Sequence, residues 1–227
     1  MHWYYYLLIG VLFFSLMAQF LVRSRFSKYD QVRARSGYTG AQAARRVLDE
    51  NGLSAIHVER VSGTLSDHFS PREGVLRLSE STYDSASVSA LSVSLHEVGH
   101  ALQQRDRYPL NQVRASLVPV ANIGSMLGPY IALIGFFIPG NAGMTMINVG
   151  IMLFAAAVLF YIVTLPVEFN ASRRALKVLG QTGILAADEL PYARKVLSAA
   201  ALTYVAATSA ALVNLLRLML MARSRRR

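Results

Sequence analysis

Five consecutive residues, His96-Glu97-Val98-Gly99-His100, carry the densest chemistry in the chain. Residues four apart share one face of a helix, so both imidazoles can reach a single ion. Glu97 stands beside the first histidine and can point at the position the ion keeps open. There it would act as a general base toward a zinc-activated water. The competing explanation is a pair of histidines satisfied by backbone groups. Against it stand the helical context, the small Gly99 between the imidazoles, and the uncharged lead-in over 87–95. The chain contains no cysteine, so any metal must be held by nitrogen and oxygen. A catalytic zinc takes three protein ligands and leaves one position open. The third ligand must come from elsewhere, because residues 103–111 contain no histidine. His57, His68 and the acidic residues are candidates. Glu168 fits as a glutamate on a second helix; a charge complementing a helix N-terminus is the competing explanation, but a carboxylate at a membrane boundary needs a partner, which favours the ligand role.

The elements that must position these groups divide into apolar and polar stretches. Residues 3–22 carry no charge. At about 1.5 Å per residue they reach roughly 30 Å, the thickness of a hydrocarbon core. Basic residues follow this run instead of preceding it, which favours an uncleaved anchor over a signal peptide. Residues 117–167 are also free of charge, too long for one span, and broken by Pro139-Gly140-Asn141-Ala142-Gly143. They read as a hairpin of 117–138 and 144–165. A last apolar helix over 196–216 is rich in small residues, which suit packing against other helices. The expected organisation is an anchor over 1–22, a catalytic layer over 23–116, a membrane hairpin over 117–167, a second ligand helix over 168–195, and a membrane helix with a basic tail over 196–227.

The polar layer between the first two apolar stretches reads helix, about three strands, helix. Thr39 and Gln42 form a capping box, and Gly52 ends that helix after Asn51. Strands are expected near Ile56, Val58 and Val61, over 64–69 and over 75–79, the last two separated by Pro71-Arg72-Glu73-Gly74. Ser85 or Asp84 is expected to cap the helix that carries Val88, Leu91, Leu95, Val98 and Leu102 at helical spacing. The strand at 75–79 is expected to offer an open edge to an extended substrate.

Hydrophobic residues make up 53% of the 227 and charged residues 16%, against about a quarter charged in soluble domains. The net charge of +10 suits anionic headgroups, and no nucleic-acid motif accompanies it. Arg23, Arg25, Lys28, Arg33 and Arg35 after the first span, Arg105, Arg107 and Arg114 before the hairpin, and Arg173, Arg174 and Lys177 after it fall on one side if each span crosses once. The positive-inside rule makes that side cytoplasmic. Arg194 and Lys195 before the last helix and the basic run after Arg223 leave its crossing open.

The stretch Leu95-His96-Glu97-Val98-Gly99-His100-Ala101-Leu102-Gln103, with Leu165-Pro166-Val167-Glu168-Phe169-Asn170-Ala171-Ser172-Arg173-Arg174-Ala175, resembles the YugP-type neutral zinc metallopeptidases of bacterial membranes. The likeness covers nearly the whole chain, including Thr64-Leu65-Ser66-Asp67-His68-Phe69 and Leu117-Val118-Pro119-Val120-Ala121-Asn122-Ile123-Gly124-Ser125. More distantly, it resembles the membrane gluzincins related to HtpX and the CAAX prenyl endopeptidases. The resemblance implies a mainly α membrane protein in the bacterial plasma membrane, with a zincin-like (gluzincin) catalytic layer, a small β-sheet and three to four transmembrane helices. It implies one zinc ion per chain, held by His96, His100 and Glu168, and a peptide or membrane-protein substrate. Ser172 stands where the wider group has aspartate.

Asp67, His68, Asn170 and Ser172 are candidates to orient a ligand or to stabilise an oxyanion. Tyr108 and Tyr204 are weaker candidates for the oxyanion. Asn122 reads as a helix-packing residue, Arg173 and Arg174 as headgroup contacts, and Trp3 with Tyr4, Tyr5 and Tyr6 as an interfacial belt. Two rival classes are a catalytically silent zinc-binding scaffold or chaperone, and an ion transporter. The transporter would want ionisable residues inside the spans, and the first three contain none.

Overall fold

The structure, a computed structural model, describes residues 4–225; Trp3 of the expected aromatic belt and the last two arginines of the basic tail lie outside them. Among the described residues the chain forms α1 (Tyr4–Asp30), α2 (Gly40–Glu50), β1 (His57–Val61), β2 (His68–Ser70), β3 (Val75–Ser79), α3 (Glu80–Tyr83), α4 (Val88–Arg105), α5 (Pro109–Phe137), α6 (Gly140–Gln181) and α7 (Leu190–Arg225). It is mainly helical with one small sheet. Two compact units emerge, one built from residues up to Ala18, Pro109–Pro166 and Thr203 onward, the other from Gln19–Tyr108 and Val167–Leu202.

The first unit is helical. Its segments belong to α1, α5, α6 and α7, the four helices long and apolar enough to cross a membrane. α5 and α6 pack with almost nothing between their backbones. A Cβ added to Gly124 would meet the Leu153 carbonyl oxygen at 2.0 Å, and one on Gly128 would meet that of Gly150 at 2.9 Å. Small residues at this spacing let helices approach closely where lipid offers no hydrophobic drive. The turn between them is tighter than expected, since α6 already begins at Gly140, whose φ is +69°. α7 runs beside this hairpin to its tip. The Thr208 hydroxyl reaches the Tyr161 carbonyl at 3.3 Å, and Arg225 donates to the Gly135 and Ile138 carbonyls at the end of α5. Asn122, expected to pack between helices, is instead exposed on α5.

The second unit holds the sheet and the motif helix. Its core gathers Val47 and Leu48 of α2, Leu76 and Leu78 of β3, and Leu91, Leu95 and Val98 of α4 around Leu179 of α6 and Leu197 of α7. The capping box on α2 is present: Thr39 Oγ1 accepts from the Gln42 N–H at 3.2 Å, and the Thr39 N–H donates to Gln42 Oε1 at 3.0 Å.

Four local expectations need correction. The strand predicted over 64–69 survives only at its end, because Gly63 (φ +106°) and Leu65 (φ +57°) turn the chain out of extended geometry. The sheet order is β1-β3-β2, with β1 parallel and β2 antiparallel to β3. β3 is therefore the central strand and has no open edge. The cap of α4 is Ser87, whose hydroxyl accepts from the Ala90 N–H at 3.0 Å, and not Ser85 or Asp84. Residues 86–88 are drawn out by pairing with the segment after α1, through Ala34 N–H to Ala86 O and Val88 N–H to Val32 O, both at 2.9 Å. Finally, Glu168 does not open a helix. α6 runs unbroken from Gly140 to Gln181 through Pro166, so Glu168 sits in its interior.

Candidate metal centre

The apolar stripe of α4, Val88, Leu91, Leu95, Val98 and Leu102, is buried in the core of its unit. Helical periodicity then turns His96, His100 and Gln103 toward α6. At Gly99 the two helices nearly touch: a Cβ there would lie 2.6 Å from the Ala171 carbonyl oxygen. This contact holds the histidines against Glu168, three residues earlier on α6.

Glu168 is 2% exposed. Its Oε2 lies 3.2 Å from His96 Nε2 and 3.5 Å from His100 Nε2. One ligand atom from each of the three residues falls within 4.8 Å of the others. A tetrahedral zinc with bonds near 2.0–2.1 Å separates its ligand atoms by about 3.3 Å, which the two measured separations bracket. The outer nitrogens are engaged elsewhere. His96 Nδ1 is 3.1 Å from Ser172 Oγ, and His100 Nδ1 is 3.0 Å from Gln103 Oε1. Two imidazoles thus turn their Nε2 atoms toward one buried carboxylate oxygen. Nitrogen and carboxylate donors at these separations fit zinc, and His96, His100 and Glu168 could hold it.

Glu97 is partly buried beside this group and not part of it. Its Oε2 accepts the Phe69 N–H at 3.0 Å. Burial pushes its carboxyl above the ordinary glutamate range; His100 and His96 pull it back, while Glu168 and Asp67 push it further up. The Phe69 contact is informative about the sheet. β2 is an edge strand, and the N–H it does not give to β3 is directed at Glu97.

The remaining sequence candidates are distributed as follows. Asp67 accepts from the Ser79 N–H at 2.8 Å and its hydroxyl at 2.9 Å, tying the loop before β2 to the end of β3. It reaches Glu97 only through its charge. His68 is exposed with Nδ1 2.9 Å from the Ser66 carbonyl, and His57 is exposed on β1; neither joins the three-residue group. Ser172 lies against His96. Asn170 Oδ1 faces Gln103 Nε2 at 3.0 Å and Arg174 Nε at 2.8 Å. Arg174 also pairs with Asp106, and Arg173 is exposed. The Tyr108 N–H closes the end of α4 on the Gln103 carbonyl at 2.9 Å. Tyr204 belongs to the helical unit. Gln103 is the residue that sequence reasoning passed over. Its signal was available in its position three residues after His100, on the same helical face.

The chain matches, over residues 4–223, the family described as "Putative neutral zinc metallopeptidase". It is 49% identical over 212 residues to the "Putative membrane protease YugP" of Bacillus subtilis (strain 168), covering 93% of each chain. No solved structure matches. With the motif helix, the buried glutamate and this match along almost its entire length, the chain belongs to the neutral zinc metallopeptidase family.

Proposed function

We propose that this protein is a membrane-embedded zinc peptidase of the gluzincin type, with one zinc held by His96, His100 and Glu168, and Glu97 as general base. The observation that carries the reading is the convergence of His96 Nε2 and His100 Nε2 on Glu168 Oε2 at 3.2 and 3.5 Å, with Glu97 beside them but outside the ligand set. A bound zinc would supply Lewis acidity, polarising a scissile carbonyl and acidifying water.

The chain's own residues supply the rest. Glu97 takes the proton of the attacking water and passes it to the departing amine. β3 cannot take an extended peptide as a further strand, being paired on both sides, and at β2 the outward Phe69 N–H is already given to Glu97. Asp67 fixes the loop that leads into β2 and adds negative charge near Glu97. Ser172 steadies the His96 ring.

The division into anchor, catalytic layer, hairpin, second ligand segment and last membrane helix follows the alternation of apolar and polar stretches. Three groups of basic residues flanking the first three apolar stretches support a cytoplasmic catalytic layer. Glu168 follows the uncharged run of α6 directly in sequence, which supports a site near the membrane surface and substrates that are membrane proteins or their exposed tails.

The test is metal removal. Purified protein should contain about one zinc per chain and hydrolyse members of a panel of peptides and membrane proteins. A chelator should abolish hydrolysis and added zinc should restore it. Protein that holds zinc but cleaves nothing in the panel would favour the silent scaffold.

A further inference from the structure

Gln103 has no accessible surface, and each polar atom of its side chain has a partner. Oε1 lies 3.0 Å from His100 Nδ1, while Nε2 lies 2.8 Å from the Val167 carbonyl oxygen and 3.0 Å from Asn170 Oδ1. Which end of an amide is oxygen, and which imidazole nitrogen bears the proton, follow from partners whose own roles are fixed. Two such partners are present. The Arg174 Nε–H can only donate, and it lies 2.8 Å from Asn170 Oδ1, so that atom is the amide oxygen. The Val167 carbonyl can only accept. Both groups facing the inner end of Gln103 are therefore acceptors, and that end must be its NH2. The outer end is then a carbonyl oxygen, and a carbonyl oxygen 3.0 Å from His100 Nδ1 requires a proton on Nδ1. Nδ1 therefore bears a proton whether the ring is neutral or charged, and Nε2, 3.5 Å from Glu168 Oε2, is the one nitrogen that can be given over to a metal.

We propose that Gln103, oriented by Asn170 and Arg174, is a positioning residue that locks His100 in the one tautomer able to present Nε2 to a metal. The inference rests on the reading that His96, His100 and Glu168 hold zinc. It is specific to His100. The partner of His96 Nδ1 is the Ser172 hydroxyl, which can donate or accept and so leaves the His96 tautomer free. Asp106, held by Arg105, anchors the far end of the chain by pairing with Arg174.

The experiment combines ¹⁵N NMR of the histidine side chains with zinc affinity by chelator competition, both on the full-length protein in detergent. In zinc-free wild type, His100 should be protonated at Nδ1, whether or not Nε2 also shares a proton with Glu168. Gln103→Met keeps the length of the side chain and removes its polar atoms; it should lose that signature and weaken zinc binding about 10–100-fold, as outer partners of metal ligands do. Asn170→Leu should weaken zinc binding in the same direction, and Asn170→Asp, still an acceptor toward Gln103 and Arg174, should restore it. A packing role alone would not change the imidazole signature. The proposal is overturned if zinc-free wild type shows His100 as the Nε2–H tautomer, a result that requires no variant to fold, or if Gln103→Met binds zinc as wild type does. If wild type binds no zinc, the metal reading fails, while the tautomer assignment is still decided by the same spectrum.

Discussion

Replacing Gly99 with alanine adds one methyl group at the point where α4 and α6 come closest. The new Cβ would lie 2.6 Å from the Ala171 carbonyl oxygen and 3.2 Å from its C and Cα atoms. These are backbone atoms of a long helix and cannot swing aside. Reaching ordinary van der Waals contact requires the helices to part by about 0.8 Å. Alanine gains about 1 kcal/mol of helix propensity over glycine, and overpacking costs about 1–3 kcal/mol, so overall stability should fall only modestly. The metal centre should suffer more. His96 and His100 flank Gly99 on one helix and Glu168 lies three residues from Ala171 on the other, while metal–ligand distances tolerate only about ±0.2 Å. Zinc competition should therefore show a loss of at least about tenfold, in the range seen when a metal site's support is disturbed. Thermal melting of the zinc-free protein should change little beside it. Gly10→Ala on α1 is the matched control, because no atom lies within 4 Å of its Cβ position. If Gly99→Ala binds zinc as tightly as wild type, the close approach does not set the spacing of the ligands and the argument fails.

Three other outcomes are expected. Glu168→Ala should reduce zinc content sharply, as should His96→Ala and His100→Ala, whereas His68→Ala, exposed and outside the group, should leave zinc content intact; elemental analysis of the four purified variants decides. Ser172→Ala removes the hydroxyl 3.1 Å from His96 Nδ1 and should weaken zinc by about tenfold, read by the same competition; unchanged affinity would deny Ser172 an orienting role. Reporter fusions near Ser85 should report the cytoplasm and fusions after Arg225 the opposite side, since Arg225 reaches the carbonyls at the tip of the α5–α6 hairpin; a shared side would refute the proposed topology.

His96 and His100 were legible because residues four apart share a helical face, whereas Glu168 was one candidate among several by position and was singled out by the family resemblance; the three come together in the fold. The capping box at Thr39 and Gln42 was legible as the histidines were, being set by neighbours in sequence. What escaped was decided by tertiary pairing. Ser85 has the right chemistry to cap α4, but residues 86–88 are extended by hydrogen bonds to Val32 and Ala34, so the cap moves to Ser87. β3 looks like any short apolar strand, and only its parallel pairing with β1 makes it central. Separate helices are expected over 144–165 and from 168, yet α6 continues through Pro166; proline removes one backbone donor, which a long helix can tolerate. Gln103 shares a helical face with His100, but the partners that orient its amide lie more than sixty residues away on α6.

The central claim is that Glu97 works on the proton while three other residues hold the metal. The most direct measurement is zinc content and peptide hydrolysis of Glu97→Gln, taken side by side with wild type. The amide keeps the shape of the side chain and can still accept the Phe69 N–H, but it cannot serve as general base. The account predicts wild-type zinc content with hydrolysis reduced by a factor of about 10²–10⁴ or more. A variant that loses its zinc would place Glu97 among the ligands, and one that cleaves at the wild-type rate would remove it from the chemistry; either result contradicts the account.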